Sequence, residues 1–425
     1  MTLRRLRLLT AGESHGPGLS GILEGLPADL RVSTAKVDKE LARRQHGYGS
    51  GRRMQIERDR VQWTAGLRFG RTLGSPLGFS IPNRDWENWA ERMSVEPTAS
   101  SARPKPITLA RPGHADLAGA IKYDSDDIRN VLERASARST APRVAAGAVC
   151  RQLLEACGVR VWSFVDQLGP VQAFGGVDEP AAHVPEGWLE ADRREPTPLR
   201  CPDPEAEAAM IAEVDAAIEA GDSVGGSFVV VAEGMPIGIG SNSEWDRRID
   251  AAVAEALMGI QATKGVEIGI GFGAVGKRGS AVHDEVEPGA SAWERKTNRA
   301  GGTEGGMTNG AAVVARVGVK PVATLRKPLD SVDLASGEVR RAHIERSDVA
   351  IIPRAAVVGE AMLAIALADA LLADMGGDTI GDVKAAVRRR RRRSEGPRGA
   401  SAAGTLESLP DNAAEEATVV PGTDA

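Results

Sequence analysis

The sequence predicts a mixed fold of the α+β class. Two observations carry that reading. Short apolar runs of strand length alternate with longer runs of helical periodicity between residues 18 and 377. Glycine reaches 49 residues and punctuates nearly every junction, so much of the chain is turn or closely approached backbone.

The elements follow in order. "GLSGILEG" (18–25) reads as a strand. "STAKVDKELARRQ" (33–45) reads as a helix with Ser33 or Thr34 as N-cap and Val37 and Leu41 four apart. "VQWTAG" and "LGFSIPN" are strands, and a Pro- and Ser-rich loop runs from about Pro97 to Pro112. "APRVAAGAVCRQLLEACG" (141–158) is a helix that ends before Gly158. Residues 204–221 form another helix and 227–234 a strand. A helix over 248–263 leads into the strand "GVEIGIG", and a long apolar helix over 355–377 closes at a Gly pair.

Composition narrows the class. The chain has 425 residues, 42% of them hydrophobic, which is ample for a large core. Its net charge of −5 gives no general reason to expect a nucleic-acid or membrane partner. No apolar run of about 18 residues stands out as a span. The basic start meets Glu13 and His15 too soon for a signal peptide, so a cytoplasmic protein is expected. Cys150, Cys157 and Cys201 form no CxxC pair and read as buried apolar residues, with no disulfide scaffold and no thiolate metal site.

The C-terminal segment differs. Arg388–Arg393 is an unbroken arginine run, and the residues after it are small, polar and aperiodic. This predicts a catalytic unit over 1–385 and a disordered Arg-rich tail over 386–425. The run could touch RNA or anionic lipid; a solvated, frayed helix end is the more ordinary reading.

"GFGAVG" (271–276) matches a dinucleotide fingerprint, but the following "KRGSAVHDEVEPGAS" cannot begin the helix that such a site requires. The histidines are more telling. His15 in "AGESHG" and His114 in "RPGHAD" lie in Gly-containing turns beside charged residues. A metal site needs three or four ligands, so a metallohydrolase is disfavoured and no metal is expected. General acid–base work suits two such imidazoles. Arginines crowd the same regions: Arg43, Arg44, Arg52, Arg53, Arg58 and Arg60; Arg111; then Arg129, Arg134, Arg138 and Arg143. Their forks can grip carboxylates or phosphates. The loop "AGGTEGGMTNG" offers bare amides, and "VKPVAT" places Lys320 at a strand end. Together these describe a site for a multiply anionic small molecule with a phosphorylated cofactor.

"AGESHG", "RPGHAD", "ERASARST", "GIQATKGVEIG", "NRAGGTEGGMTNG", "KPVATL" and "ERSDVAIIPRA" stand in an order that resembles the chorismate synthase family over about residues 3–380. The resemblance implies a β-α-β sandwich core and a homotetramer. It implies a lyase that eliminates phosphate from 5-enolpyruvylshikimate 3-phosphate with the help of reduced FMN, with NADPH as a reductant. By similarity the catalytic residues are His15, His114 and Asp348. FMN would lie on Arg134, Ala135, Ser136, Gln261, Ala262, Gly305, Lys320, Pro321, Val322, Ala323, Thr324 and Arg346. The substrate or nicotinamide region would hold Arg44, Ser50, Arg52, Arg53, Arg111 and Arg138.

Three departures from the family pattern stand out. Ser50 in "GYGSG" replaces the usual arginine, so either Arg52 reaches in instead or the site has one cation fewer. Ser139 stands where glutamate is frequent. "RSDV" replaces "RHDP", keeping the arginine and aspartate.

Overall fold

Two antiparallel sheets enclose a layer of helices. The computed structural model describes residues 5–49, 58–97, 104–289, 293–344 and 348–394. The first sheet is built from β1 (Arg7–Ala11), β2 (Gly18–Glu24), β3 (Gln62–Ala65) and β4 (Leu77–Pro82), in the order β1-β2-β4-β3. The second holds β5 (Arg160–Leu168), β6 (Val171–Gln172), β7 (Gly226–Glu233), β8 (Thr263–Ile268) and β9 (Val313–Val319), in the order β8-β9-β7-β5-β6. All pairings are antiparallel.

The patterning explains which faces are covered. β2 and β9 alternate buried and more exposed residues, as half-covered strands do. β5 and β7 are buried almost throughout because both faces of the larger sheet are used. Trp162, Phe164, Val229 and Val231 form a small core on the outer face with Leu189 of the short helix over Trp188–Arg194.

The helices in chain order are α1 (Thr34–Gln45), α2 (Asp116–Tyr123), α3 (Arg129–Ala135), α4 (Ala141–Ala156), α5 (Trp188–Arg194), α6 (Pro204–Ala220), α7 (Ile249–Met258), α8 (Ile352–Met375) and α9 (Ile380–Ser394). The Ser33 hydroxyl caps α1 by accepting from the Lys36 amide at 3.4 Å. α4 packs between the smaller sheet and α8, and α8 packs on β5 and β7. Gly147 of α4 lets the two helices close up: a Cβ there would lie 2.4 Å from the Ala361 Cβ. By length and composition α8 qualifies as a membrane span, yet 94% of its most apolar stretch is buried in this protein. Each fully buried leucine along it, such as Leu363, Leu367 and Leu371, contributes roughly 1.5–3 kcal/mol.

A charged knot ties this layer together. Arg43 (α1), Arg151 (α4) and Arg200 converge on Glu360 of α8, with Arg43 at 2.9 and 3.0 Å and Arg200 at 3.2 Å. The Ser163 hydroxyl of β5 donates to Glu360 at 2.6 Å. Burial pushes the Glu360 carboxyl up, but the three guanidiniums outweigh it and hold it well below the usual carboxylate range.

Two expectations need correction. α7 ends at Met258, five residues short of 263, because Gly259 caps it and Ala262 takes a left-handed φ of 68° before β8 begins. Residues 386–394 are not an unstructured tail: they continue α9, with Ala386 and Val387 buried. Residues 395–425 lie outside the described residues.

Candidate active site

The turn between β1 and β2 carries His15. Its shape is set from outside: the Asn83 amide, just past β4, donates to the carbonyls of Glu13, Ser14 and Gly16 at 3.2, 3.3 and 2.7 Å. Gly12 adopts φ +104°, and a Cβ there would meet the Gly18 carbonyl oxygen at 2.3 Å. The opening of the turn is thus accessible only to glycine.

Two bonds fasten His15 to α3. Its backbone N–H donates to Glu133 Oε2 at 2.9 Å, and its Nδ1 lies 2.9 and 3.0 Å from the two Glu133 oxygens. Arg129 supports Glu133 at 2.8 Å. Trp89 stacks on the imidazole with centroids 3.9 Å apart. Burial raises the Glu133 carboxyl, but hydrogen bonds and charge from His15 and the Arg129 charge hold it below its ordinary value. With a carboxylate at Nδ1, the proton sits there and Nε2 is left for chemistry.

His114 repeats the arrangement. Its Nδ1 contacts Asp116 Oδ1 at the start of α2. Arg111 clamps the same carboxylate through Nε and Nη2 at 2.8 and 3.0 Å, and its Nη1 donates to the Thr324 hydroxyl at 3.2 Å. Burial pushes Asp116 up, but hydrogen bonds from His114 and Arg111 drive it far below the carboxylate range. Lys320 Nζ donates to the Gly113 carbonyl at 2.6 Å, and its backbone N–H donates to the Ala262 carbonyl at 3.0 Å. Gln261 Nε2 donates to the Ser139 hydroxyl at 2.7 Å. An unbroken line of contacts therefore runs from Ser139 through Gln261, Ala262 and Lys320 to the His114 turn.

Arg44 and Arg138 share one buried carboxylate, Asp59: Arg44 at 2.7 Å, Arg138 at 2.5 and 2.7 Å. Arg138 Nε also donates to Asn83 Oδ1 at 2.9 Å, which links this pair to the His15 turn. The pair holds two guanidinium forks around one carboxylate, donors of the kind that grip an anion. Burial lowers Arg44, Asp59 opposes it, and the neighbouring charges of Arg138 and Arg354 lower it further. Arg354 pairs in turn with Asp348.

Several of the expected residues and other arginines also make bonds within the fold. Arg134 uses its guanidinium on the Thr10 and Gly12 carbonyls and the Thr10 hydroxyl, at 2.8–3.1 Å, and so fixes the end of β1. Arg43 joins the Glu360 knot instead of the site. Arg143 donates to the Gly259 carbonyl at 2.8 Å. Gly305 sits in a hairpin whose Gly306 carbonyl accepts from Ile249 at the start of α7, while Gln261 follows its end. About 15 Å of helix separates them. Ser50, Arg52, Arg53 and Arg346 lie outside the described residues, and with them the idea that Arg52 compensates for Ser50.

Sequence reasoning passed over Glu133, Asp116, Asp59, Asn83 and Trp89 as site residues. Glu133 and Asp116 stood inside "ERASARST" and "RPGHAD"; Asp59, between Arg58 and Arg60, had charge alternation as its only signal.

Two carboxylate-backed imidazoles, an arginine pair and Arg111 on a β-α-β sandwich make a site of the kind that can exchange protons with an anionic small molecule. The comparisons agree. The sequence model described as chorismate synthase matches residues 6–372. The chorismate synthase of Aquifex aeolicus is 51% identical over 386 residues, covering 90% of this chain and 97% of that one. That of Desulforudis audaxviator is 53% identical over 378 residues, covering 88% and 94%. A solved crystal structure of chorismate synthase superposes with a TM-score of 0.73 at 40% identity, covering 93% of this chain and 99% of that one. The chain belongs to the chorismate synthase family, carbon–oxygen lyases of aromatic amino-acid biosynthesis.

Proposed function

We propose that this chain eliminates phosphate and a ring proton from 5-enolpyruvylshikimate 3-phosphate in the 1,4-anti sense, giving chorismate, with reduced FMN as cofactor. The observation that carries the reading is the pair of family-motif histidines, each backed at Nδ1 by a buried carboxylate. His114 presents Nε2 as the acid for the leaving phosphate, and Asp116 stabilises the charged ring while it holds the proton. Arg111 adds a positive charge beside it. His15 holds a proton at the opposite turn, steadied by Glu133 and Trp89. Asp348 takes part in removing the ring proton. Arg44 and Arg138 bind the substrate's anionic groups, together with Arg53 and the Ser50–Arg52 segment.

The residues present fit FMN. Gln261 Oε1 is a buried acceptor with no donor of its own, which a ring N–H would satisfy. The adjoining Lys320–Thr324 segment and the Ala135–Ser136 turn supply a cation, hydroxyls and backbone amides for a phosphate and a planar ring. Arg346 and Gly305 belong to the same proposed set. When bound, reduced FMN supplies transient electron density that eases departure of the phosphate. Family membership supports three finer points: a homotetramer, NADPH as a reductant, directly or through an external flavin reductase, and a cytoplasmic location.

An anaerobic assay of phosphate release, with and without chemically reduced FMN, tests the reading. Release should require reduced FMN; turnover with oxidised FMN alone in an oxidising buffer would overturn it.

A further inference from the structure

The arginine run lies beyond residue 372, where the family match ends, and the chemistry above makes no use of it. The helical register divides its six arginines into two groups. Arg390 and Arg391 turn inward. Arg390 Nη1 donates to the carbonyls of Ile237 and Gly238 at 3.3 and 2.8 Å. Arg391 Nη2 donates to the carbonyls of Cys157 and Gly234, both at 2.8 Å. These bonds, with buried Val383, Ala386 and Val387, moor α9 to the end of α4 and the loop after β7.

The other four arginines are exposed: Arg388, Arg389, Arg392 and Arg393. Arg388 and Arg392 are four apart, as are Arg389 and Arg393, so they share one helix face over about 7.5 Å. Among the described residues no carboxylate pairs with any of them. The result is a rigid ridge of four cationic forks on a protein whose net charge is −5.

We propose that this ridge is a binding site for the phosphate backbone of a nucleic acid, engaged without base selection. Guanidinium forks match phosphate oxygens, and a repeating polyanion engages several at once where a single phosphate engages one. A bilayer is the poorer fit. Helices that lie in a membrane surface insert an apolar face, whereas the apolar residues of α9 are spent on the protein body. None of the exposed large apolar side chains lies on α9.

The test uses the full chain and a fluorescein-labelled single-stranded RNA of about 20 nucleotides, followed by anisotropy from about 50 to about 200 mM salt. Micromolar binding is expected at the low end, with a log–log salt slope of about −3 for four phosphate contacts. A variant carrying Arg388→Gln, Arg389→Gln, Arg392→Gln and Arg393→Gln should bind at least about tenfold more weakly with a flattened slope. Its melting temperature and phosphate-release activity should not change. Lysine at the same four positions should retain most of the affinity, and a homopolymer and a mixed sequence should bind alike. Wild-type affinity in the glutamine variant would overturn the proposal. So would absence of RNA binding at low salt, or capture by phosphatidylserine vesicles in place of RNA.

Discussion

Glu133 and His15, 118 residues apart, form one hydrogen-bonded unit in which the carboxylate meets both the imidazole Nδ1 and the backbone N–H of the histidine. Glu133→Gln keeps the size and removes the carboxylate that accepts from both the His15 Nδ1 and its backbone N–H. We expect kcat to fall at least about tenfold with little change in KM. Wild-type kcat in this variant would reduce Glu133 to a packing role.

His15→Ala and His114→Ala should each lower turnover by about 10²-fold or more. Both should remain folded, because the side chains are 14% and 22% exposed and lie in turns outside the core. Wild-type turnover in either variant would remove that histidine from the mechanism.

Asp59→Ala leaves Arg44 and Arg138 facing each other in a buried site without their shared carboxylate. We expect a loss of about 3–5 kcal/mol in denaturant unfolding, with substrate affinity disturbed in the surviving fold. An unfolding midpoint equal to wild type would show that the arginines find other partners.

Stability should fail on the acid side. Asp59, Asp116, Glu133 and Glu360 are all pushed up by burial, yet all titrate below their ordinary values because arginine and histidine partners outweigh it. The native state therefore binds fewer protons than the unfolded chain. The stabilisation is present above the ordinary carboxylate range and is lost as pH falls through the depressed values. The melting temperature should be level above about pH 5 and fall steeply below about pH 4. Glu360→Gln should shallow that fall; a level profile down to about pH 2 would contradict the assignment.

Truncation should distinguish the two parts of the C-terminal segment. Removing 386–425 deletes buried Val387 and the Arg390 and Arg391 bonds, and should lower the melting temperature by several degrees. Removing only 395–425 should not. Equal stability of the two truncated proteins would show that the end of α9 contributes nothing.

Most elements were legible in the sequence because the signals were local. Ser33 caps α1, Gly158 follows the end of α4, and the alternation in "GLSGILE" marks β2. The histidines were legible because a polar residue between glycines has few structural reasons to be there. Their carboxylate partners were not, since the link from Glu133 to His15 spans over a hundred residues and appears only once α3 packs beside the turn. The same holds for Asn83, whose three bonds to one turn have no sequence period. The end of α9 was misjudged for another reason. An arginine run looks solvated until Arg390 finds the Gly238 carbonyl in the loop after β7 and Arg391 finds the Cys157 carbonyl at the end of α4.

Helix α8 begins at Ile352, after every strand of both sheets in chain order. During synthesis at about 5–20 residues per second, the sheets are therefore made before the helix that fills the space between them. Until α8 is made, the apolar inner faces of β5 and β7 lack the helix that packs on both of them, and α8 itself is apolar enough to be mistaken for a membrane segment. The nascent chain thus passes through an interval of exposure that ends only when α8 slots in. Chaperone demand should peak late in translation, and release factors acting before residue 375 should yield aggregates instead of a smaller folded protein.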